Sequence, residues 1–236
     1  MGAKTLDAAA VLFTGGKDSV YALHKAIENG VEVKVLVSII PLYKYSLLYH
    51  QPIFTGLVAQ AQSLSIPLES MGLLDPSRER EALTTLLQRA KSKYGVNMVV
   101  TGAVKSVFQY KAFREISRGV GLELYAPNWG VNEEEYMESI LRGNIEFSLI
   151  SITSMGIPRE LLGKVFTWRD LDKLVKLSKK YGFNLSFEGG EAETFVTNAP
   201  LFKYKLILTG RTIIVSDYEG YYEISRVKLV KKNHVV

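Results

Sequence analysis

The chain reads as an α/β protein: a doubly wound parallel sheet followed by a smaller C-terminal α+β domain. Three observations predict this. Short runs rich in β-branched residues, VLF (11–13), VEVKVLVSII (31–40) and VNMVVTGA (96–103), are separated by stretches with apolar residues at helical spacing. Strands of that kind, covered by helices on both faces, form parallel sheets. Beyond residue 203 the pattern changes to long segments of strand character broken by turn residues, which reads as an antiparallel meander.

Taken in order, the first strand ends at Phe13. The stretch from Asp18 to Asn29 is a helix with Val20, Leu23, His24 and Ile27 on one side, stopped by Gly30. The second strand runs to Ile40 and is ended by Pro41. After a tyrosine-rich connection, residues 52–65 have a helical pattern and 66–71 a short strand. Arg78 to Tyr94 is amphipathic, with Leu83, Leu86, Leu87 and Ala90 on one side. A strand over 96–103, a helix from Gln109 to Arg118 and a strand over 122–127 complete the alternation.

Pro127 and Gly130 punctuate a boundary, so two domains are expected, 1–128 and 129–236. The second has a helix from Glu133 to Leu141, a strand over 147–154, a stretch punctuated by Gly156, Pro158 and Gly163, and a helix from Arg169 to Tyr181. The meander is expected to turn at Gly210-Arg211 and at Glu219-Gly220.

With 236 residues, 47% of them hydrophobic, the chain can bury a substantial core. No apolar run approaches the ~20 residues that cross a bilayer. The segment MGAKTLDAAAVLF is charged where a secretion signal needs an unbroken apolar stretch, so no membrane partner and a cytoplasmic location are expected. Cysteine is absent, which excludes disulfides, zinc-thiolate sites and a thiol nucleophile. The net charge of +5 favours an acidic partner. Part of that excess lies at Lys228, Lys231 and Lys232, read first as a solvated strand end and second as a phosphate or RNA contact.

The sequence FTGGKDS, Phe13 to Ser19, stands where the first strand gives way to a helix. In an open parallel sheet that turn is a favoured ligand position. Gly15 and Gly16 let backbone N–H groups approach phosphate oxygens, and the helix adds its partial positive charge. Lys17 supplies a mobile positive charge, Ser19 a hydroxyl, and Asp18 a helix cap or a handle on Mg2+. A tight turn with a capped helix is the plainer reading of the same residues. Neither a P-loop, G-x-x-x-x-G-K-[ST], nor a dinucleotide fingerprint, G-x-G-x-x-G, is present.

The turn resembles the S-G-G-x-D-S loop of the PP-loop ATP pyrophosphatases, with Thr14 in place of the first serine. That resemblance implies the adenine nucleotide alpha hydrolase-like (HUP) fold and cleavage of ATP between its α and β phosphates, with an adenylated intermediate. Thiolating members generally rely on cysteines, so the absence of cysteine favours an amide- or amidine-forming ligase.

A second unusual stretch, EGGEAETFVTNAP from Glu188 to Pro200, crowds Glu188, Glu191 and Glu193 around Gly189-Gly190. By composition alone it is an acidic surface turn before a strand. Together with FTGGKDS, TGAVKSVFQ (101–109) and PNWG (127–130), however, it is similar to the diphthine-ammonia ligase family, in order over most of the chain. The resemblance implies ATP-dependent amidation of diphthine, a modified histidine of translation elongation factor 2, with ammonium consumed and AMP and pyrophosphate released.

It implies ATP and Mg2+ as cofactors, with Thr14, Gly15, Gly16, Lys17, Asp18 and Ser19 on the pyrophosphate and the metal. Ser38 and Ile39 would lie against adenine, and Gly102 and Ala103 toward the α-phosphate. Ser106, Gln109, Trp129, Glu188, Gly189, Gly190, Glu191, Glu193 and Thr194 would face the substrate, and Asp18, Glu188 and Glu191 would be catalytic. Carboxylates and Trp129 suit the trimethylammonium of diphthine through charge and cation-π attraction. One glutamate would bind ammonium and take its proton.

The chain departs from the family pattern at Phe108, Ala112 and Arg114, which bears on the acyl substrate rather than on ATP. His24 reads as a packed helix residue, His50 as a residue near the nucleotide, and His234 as part of the tail. Tyr43, Tyr45 and Tyr49 read as an adenine stack, a lid or core packing. Two other functions are compatible with the same residues: modification of a tRNA base by the same chemistry, and a regulatory module that holds ATP or AMP without turnover. The ligase reading expects elongation factor 2 and ammonium as partners and no nucleic acid, and it accommodates a homodimer.

Overall fold

The structure, a computed structural model, describes residues 7–42 and 54–232. By its contacts the chain divides into two compact units: one holds the residues up to Thr14 and Asp18–Trp129, the other Gly15–Lys17 and the residues from Gly130 onward.

The first unit is a five-stranded parallel sheet with helices between its strands. In chain order it contains β1 (Ala8–Leu12), α1 (Lys17–Glu28), β2 (Glu32–Pro41), α2 (Phe54–Leu64) and β3 (Leu68–Leu73). After a 3-10 turn at Pro76–Arg78 come α3 (Glu79–Tyr94), β4 (Met98–Val100), α4 (Val107–Val120) and β5 (Glu123–Tyr125). The strand order is β3-β2-β1-β4-β5, so the winding reverses between β1 and β4. The crevice outside the carboxyl ends of the strands at such a reversal is where open α/β sheets bind ligands.

Both faces of the sheet are covered. Val35, Val37 and Ile39 of β2 are buried with Leu83, Leu86, Leu87 and Ala90 of α3 and Phe113 and Ile116 of α4. Between them in the strand, Leu36 and Ser38 are also buried. This is why β2 could be read as one apolar run. The expected doubly wound sheet is present, and its strands β4 and β5 are three residues each, shorter than the apolar runs that announced them.

The second unit holds α5 (Glu133–Arg142), β6 (Glu146–Ile152), α6 (Trp168–Tyr181), β7 (Ala192–Asn198), β8 (Tyr204–Ile214) and β9 (Gly220–Lys231), with a four-stranded antiparallel sheet in the order β7-β6-β9-β8. Tyr136, Met137 and Ile140 of α5 and Leu171 and Leu174 of α6 are buried, as are Phe147, Leu149, Phe195 and Val196 of the sheet. Thr167 and Asp170 form a reciprocal capping box that fixes the start of α6.

Two features differ from the expectation. The segment 192–198, not singled out as a strand, forms β7 at the edge of the sheet, paired with β6, although its sequence AETFVTN shows no clear period. The chain also does not turn at Gly210-Arg211: β8 runs straight through, and the reversal to β9 occurs at 215–219, closed by Val215 and Ser216 donating to the Glu219 carbonyl. Gly210 marks a bulge instead. Thr209 pairs with Arg226 and Gly210 with Ile224, leaving Ser225 as the extra residue. A Cβ on Gly210 would lie 2.2 Å from the Glu223 carbonyl oxygen, so only glycine fits that approach.

Candidate active site

The FTGGKDS loop continues β1 for one residue, Phe13 N–H donating to the Val37 carbonyl at 2.8 Å. It then turns at Gly15, whose φ of +75° is the left-handed conformation that L side chains resist. The Thr14 hydroxyl and backbone N–H both donate to Ser19 Oγ at 3.3 Å, tying the two ends of the loop together. Asp18 and Ser19 lie in the first turn of α1, and the loop after β4 backs directly onto them. A Cβ on Gly102 would stand 2.6 Å from the Asp18 carbonyl carbon and 2.8 Å from Ser19 N. Glycine at 102 is therefore what allows the loops after β1 and β4 to lie side by side at the reversal point.

The middle of the loop packs within the second unit. Val196 N–H donates to the Gly15 carbonyl at 2.9 Å, and Lys17 N–H donates to Thr194 Oγ1 at 3.1 Å. Lys17 Nζ donates to the Ser186 carbonyl at 2.5 Å and lies 5.3 Å from the Phe187 ring centroid. The side chain is 1% exposed. The mobile charge expected of Lys17 is thus corrected to a buried, directed one, because a carbonyl and an aromatic face hold the ammonium in place.

The segment from Asn184 to Thr194 is built from turns leading into β7. Phe187 has φ +64° and Gly190 φ +83°. Leu185 N–H donates to Glu133 Oε2 at 2.7 Å, and Asn184 donates to Glu191 Oε1 from both its backbone N–H (3.0 Å) and its Nδ2 (2.6 Å). Thr153 Oγ1 donates to the Gly190 carbonyl and Thr153 N–H to the Glu191 carbonyl, anchoring the loop to the end of β6. Glu188, Glu191, Glu193 and Thr194 are all half-buried, and Gly189 is exposed.

The remaining residues singled out from sequence lie in the first unit. Ser38 and Ile39 are buried inside the β2–β3 ladder opposite Ser70 and Met71. Among the described residues nothing hydrogen-bonds to Ser38 Oγ. Ala103 is buried after β4, its N–H donating to Thr101 Oγ1 at 3.4 Å. Ser106 is the N-cap of α4, accepting from Gln109 N–H at 3.4 Å. Trp129 stacks on Tyr110 with ring centroids 4.2 Å apart. Of the three departures, Ala112 lies in the core behind the sheet, while Phe108 and Arg114 are exposed.

The structure thus joins Lys17 to Thr194, Asp18 to Gly102, Thr14 to Ser19 and Ser106 to Gln109. His24 is buried in α1 with Nδ1 2.8 Å from the Val20 carbonyl oxygen, a packed helix residue. Tyr43, Tyr45, Tyr49, His50 and His234 lie outside the described residues. Asn184, Ser186 and Tyr110 went unnoticed in the sequence. Tyr110 had a signal, an aromatic in the first turn of a helix beside Gln109, whereas Asn184 and Ser186 carry none. Among the described residues no group of three or more His, Asp or Glu is arranged to hold a metal, and no helix is long and apolar enough to cross a membrane.

Comparison with known proteins places the chain. Family models described as the diphthamide synthase N-terminal domain and the diphthamide synthase C-terminal domain match residues 7–124 and 132–230. Human diphthine-ammonia ligase is 27% identical over 244 residues, an alignment that covers 94% of this chain and 90% of the human one. The rat diphthine-ammonia ligase is 28% identical over 243 residues, 93% of this chain and 90% of its own. The Schizosaccharomyces pombe diphthine-ammonia ligase is 28% identical over 222 residues, 86% of this chain but 36% of that longer protein. With both family models matched in order along its length, this chain belongs to the diphthamide synthase family.

Proposed function

We propose that this protein amidates diphthine on translation elongation factor 2 to diphthamide, consuming ATP and ammonium and releasing AMP and pyrophosphate. Family membership and the names of relatives aligned over nine-tenths of their length support the ligase reading. The observation that carries it is the direct bond from Lys17 N–H to Thr194 Oγ1, which joins the Gly-Gly turn to the EGGEAET segment. A phosphate-binding turn alone names a superfamily; its union with a carboxylate-bearing loop suits a second, acyl-group substrate.

The residues present fit an adenine nucleotide. The loops after β1 and β4 meet at the reversal point with room for a backbone but not for a Cβ at Gly102, and Ser38 presents a buried hydroxyl with no protein partner among the described residues. ATP supplies the activation of the acid as a mixed anhydride. Residues Thr14 to Ser19 would hold the pyrophosphate, Asp18 the accompanying Mg2+, Ser38 and Ile39 the adenine, and Gly102 and Ala103 the α-phosphate. In this assignment residues 1–128 bind ATP and 129–236 bind the acyl substrate. Trp129, Ser106, Gln109 and the Glu188–Thr194 stretch would contact diphthine, in the cytoplasm where the elongation factor works.

The experiment is pyrophosphate-ATP exchange dependent on diphthine-bearing elongation factor 2. Wild-type protein is expected to exchange, Asp18→Ala to lose exchange, and Glu191→Ala to bind ATP as the wild type does. Exchange stimulated by tRNA instead would favour tRNA base modification, and ATP binding without exchange under any acceptor would favour a regulatory role.

A further inference from the structure

Two consecutive turns fold the chain between Asn184 and Glu191 back on itself. Phe187 N–H donates to the Asn184 carbonyl at 3.0 Å and Gly190 N–H to the Phe187 carbonyl at 3.2 Å. The return brings the Glu191 carboxylate against Asn184, whose backbone N–H and Nδ2 both donate to Oε1. Gly189 closes the remaining side: a Cβ there would stand 2.6 Å from Glu191 Oε1 and 2.8 Å from Asn184 Nδ2. The second oxygen, Oε2, is also buried, yet among the described residues no protein group donates to it.

A carboxylate held this way has two unlike ends. Oε1 is saturated by two donors and cannot rotate without breaking both. Oε2 is shielded from bulk water with its acceptor capacity unused, an arrangement that buried polar atoms seldom have without a purpose. The group it suits is small, cationic and rich in N–H donors.

We propose that Asn184 is a positioning residue that fixes Glu191 so that Oε2 receives ammonium, the nitrogen substrate of the reaction proposed above, on which this inference rests. Ammonium donates to Oε2 and passes it one proton. The resulting ammonia attacks the carbonyl carbon of the acyl adenylate through its lone pair; a C–N bond forms, the bond from carbon to the phosphate oxygen breaks, and AMP leaves with that electron pair. The second proton lost from nitrogen goes to solvent, and the carboxylic acid of Glu191 then returns its proton to solvent. Atoms and charge balance with no further reactant.

The test is a set of initial rates at saturating ATP and diphthine-bearing elongation factor 2 with ammonium varied, alongside pyrophosphate exchange and product formation with hydroxylamine, a nucleophile that is neutral near physiological pH. Asn184→Ala, at an exposed position, is expected to raise the KM for ammonium by roughly tenfold, the scale of a lost charge-assisted hydrogen bond. Exchange and the KM for ATP are expected to stay within about twofold of wild type. Asn184→Asp, isosteric but without the Nδ2 donor, and Gly189→Ala, which forces the pair apart, are expected to shift the same constant. Glu191→Gln is expected to lose the ammonium reaction while still forming hydroxamate. An unchanged ammonium KM in the Asn184 and Gly189 variants, or loss of exchange in parallel with amidation, overturns the positioning role. A wild-type protein that exchanges pyrophosphate but uses ammonium no better than Glu191→Gln overturns this inference alone. A wild-type protein that neither exchanges nor amidates overturns the proposed function with it.

Discussion

The two units use their strands differently. In the first, β1 and β2 are buried on both faces and every neighbour is parallel, so the sheet itself is the core. In the second, β8 and β9 form a long antiparallel ribbon with Ile207, Ile214, Tyr221 and Val230 substantially exposed, and β9 pairs with β6 only at Ser151–Tyr221 and Ile152–Gly220. The first unit fixes its loops by packing density: a single absent Cβ at Gly102 lets two of them touch. The second fixes its turns by hydrogen bonds, as at Asn184 and Glu191. Local rigidity in the two units therefore comes from different sources, and substitutions should separate them.

The largest effect is expected at Gly102. Gly102→Ala drives a methyl into the backbone of Asp18 and displaces the loop by a fraction of an ångström or more. Exchange activity should fall by about a hundredfold, the scale on which misplaced catalytic groups act. Gly119→Ala, a glycine in α4 with nothing near its Cβ position, should leave exchange intact; equal losses at both positions would break the argument from close approach.

Next is core packing. Leu87→Ala should lower unfolding free energy by about 3 kcal/mol through a cavity behind the parallel sheet, whereas Ile207→Ala on the ribbon should cost less than about 0.5 kcal/mol, measured by denaturant titration. At the ribbon, backbone geometry should matter more than apolar contact. Gly210→Ala meets the Glu223 carbonyl and should cost about 2 kcal/mol, with amide exchange rising in β8 and β9 rather than in the first unit.

The smallest effect is electrostatic. Hydrogen bonds from Lys93 and then Tyr94 hold the Glu69 carboxyl of the first unit below its ordinary range. For Glu146 of the second unit, burial is the largest single influence and works upward, but Lys205 and Asn198 together outweigh it and the carboxyl is also lowered. A carboxylate with a depressed folded pKa stabilises the fold above its unfolded value, about 4.3, and that contribution disappears as pH falls through the folded value. Glu69→Gln and Glu146→Gln should each lower Tm slightly at neutral pH, flatten its fall below that pH and converge on the wild type in acid, with a small overall effect because both groups are partly exposed.

The same contrast explains what could be read from the residues alone. Apolar runs such as VEVKVLVSII announce strands covered on both faces, and Gly30 stops the helix before it, while Pro41 is the last residue of β2, paired with Leu73, rather than a stop after it; the Gly-Gly turn after β1 is legible because topology makes that position special. β7 is obscured because Glu193 and Thr194 stand together and Phe195, Val196 and Thr197 are buried in succession, which breaks the two-residue period, and Gly210 reads as a turn because a bulge and a turn both call for glycine. Lys17 looked mobile since nothing in FTGGKDS reveals the Ser186 carbonyl that captures its ammonium. The grip of Asn184 on Glu191 depends on left-handed backbone at Phe187, a residue type whose presence predicts no such turn.

The central claim is that a phosphate-binding turn and a carboxylate loop together hand an activated acid to ammonia. Its most direct test is to incubate the protein with ATP, Mg2+, ammonium and diphthine-bearing elongation factor 2 and to follow AMP together with the mass of the modified histidine. The account predicts AMP released in step with conversion of the carboxylate to a carboxamide, both dependent on ammonium. AMP formed with the diphthine mass unchanged at saturating ammonium, or no AMP at all, would contradict it.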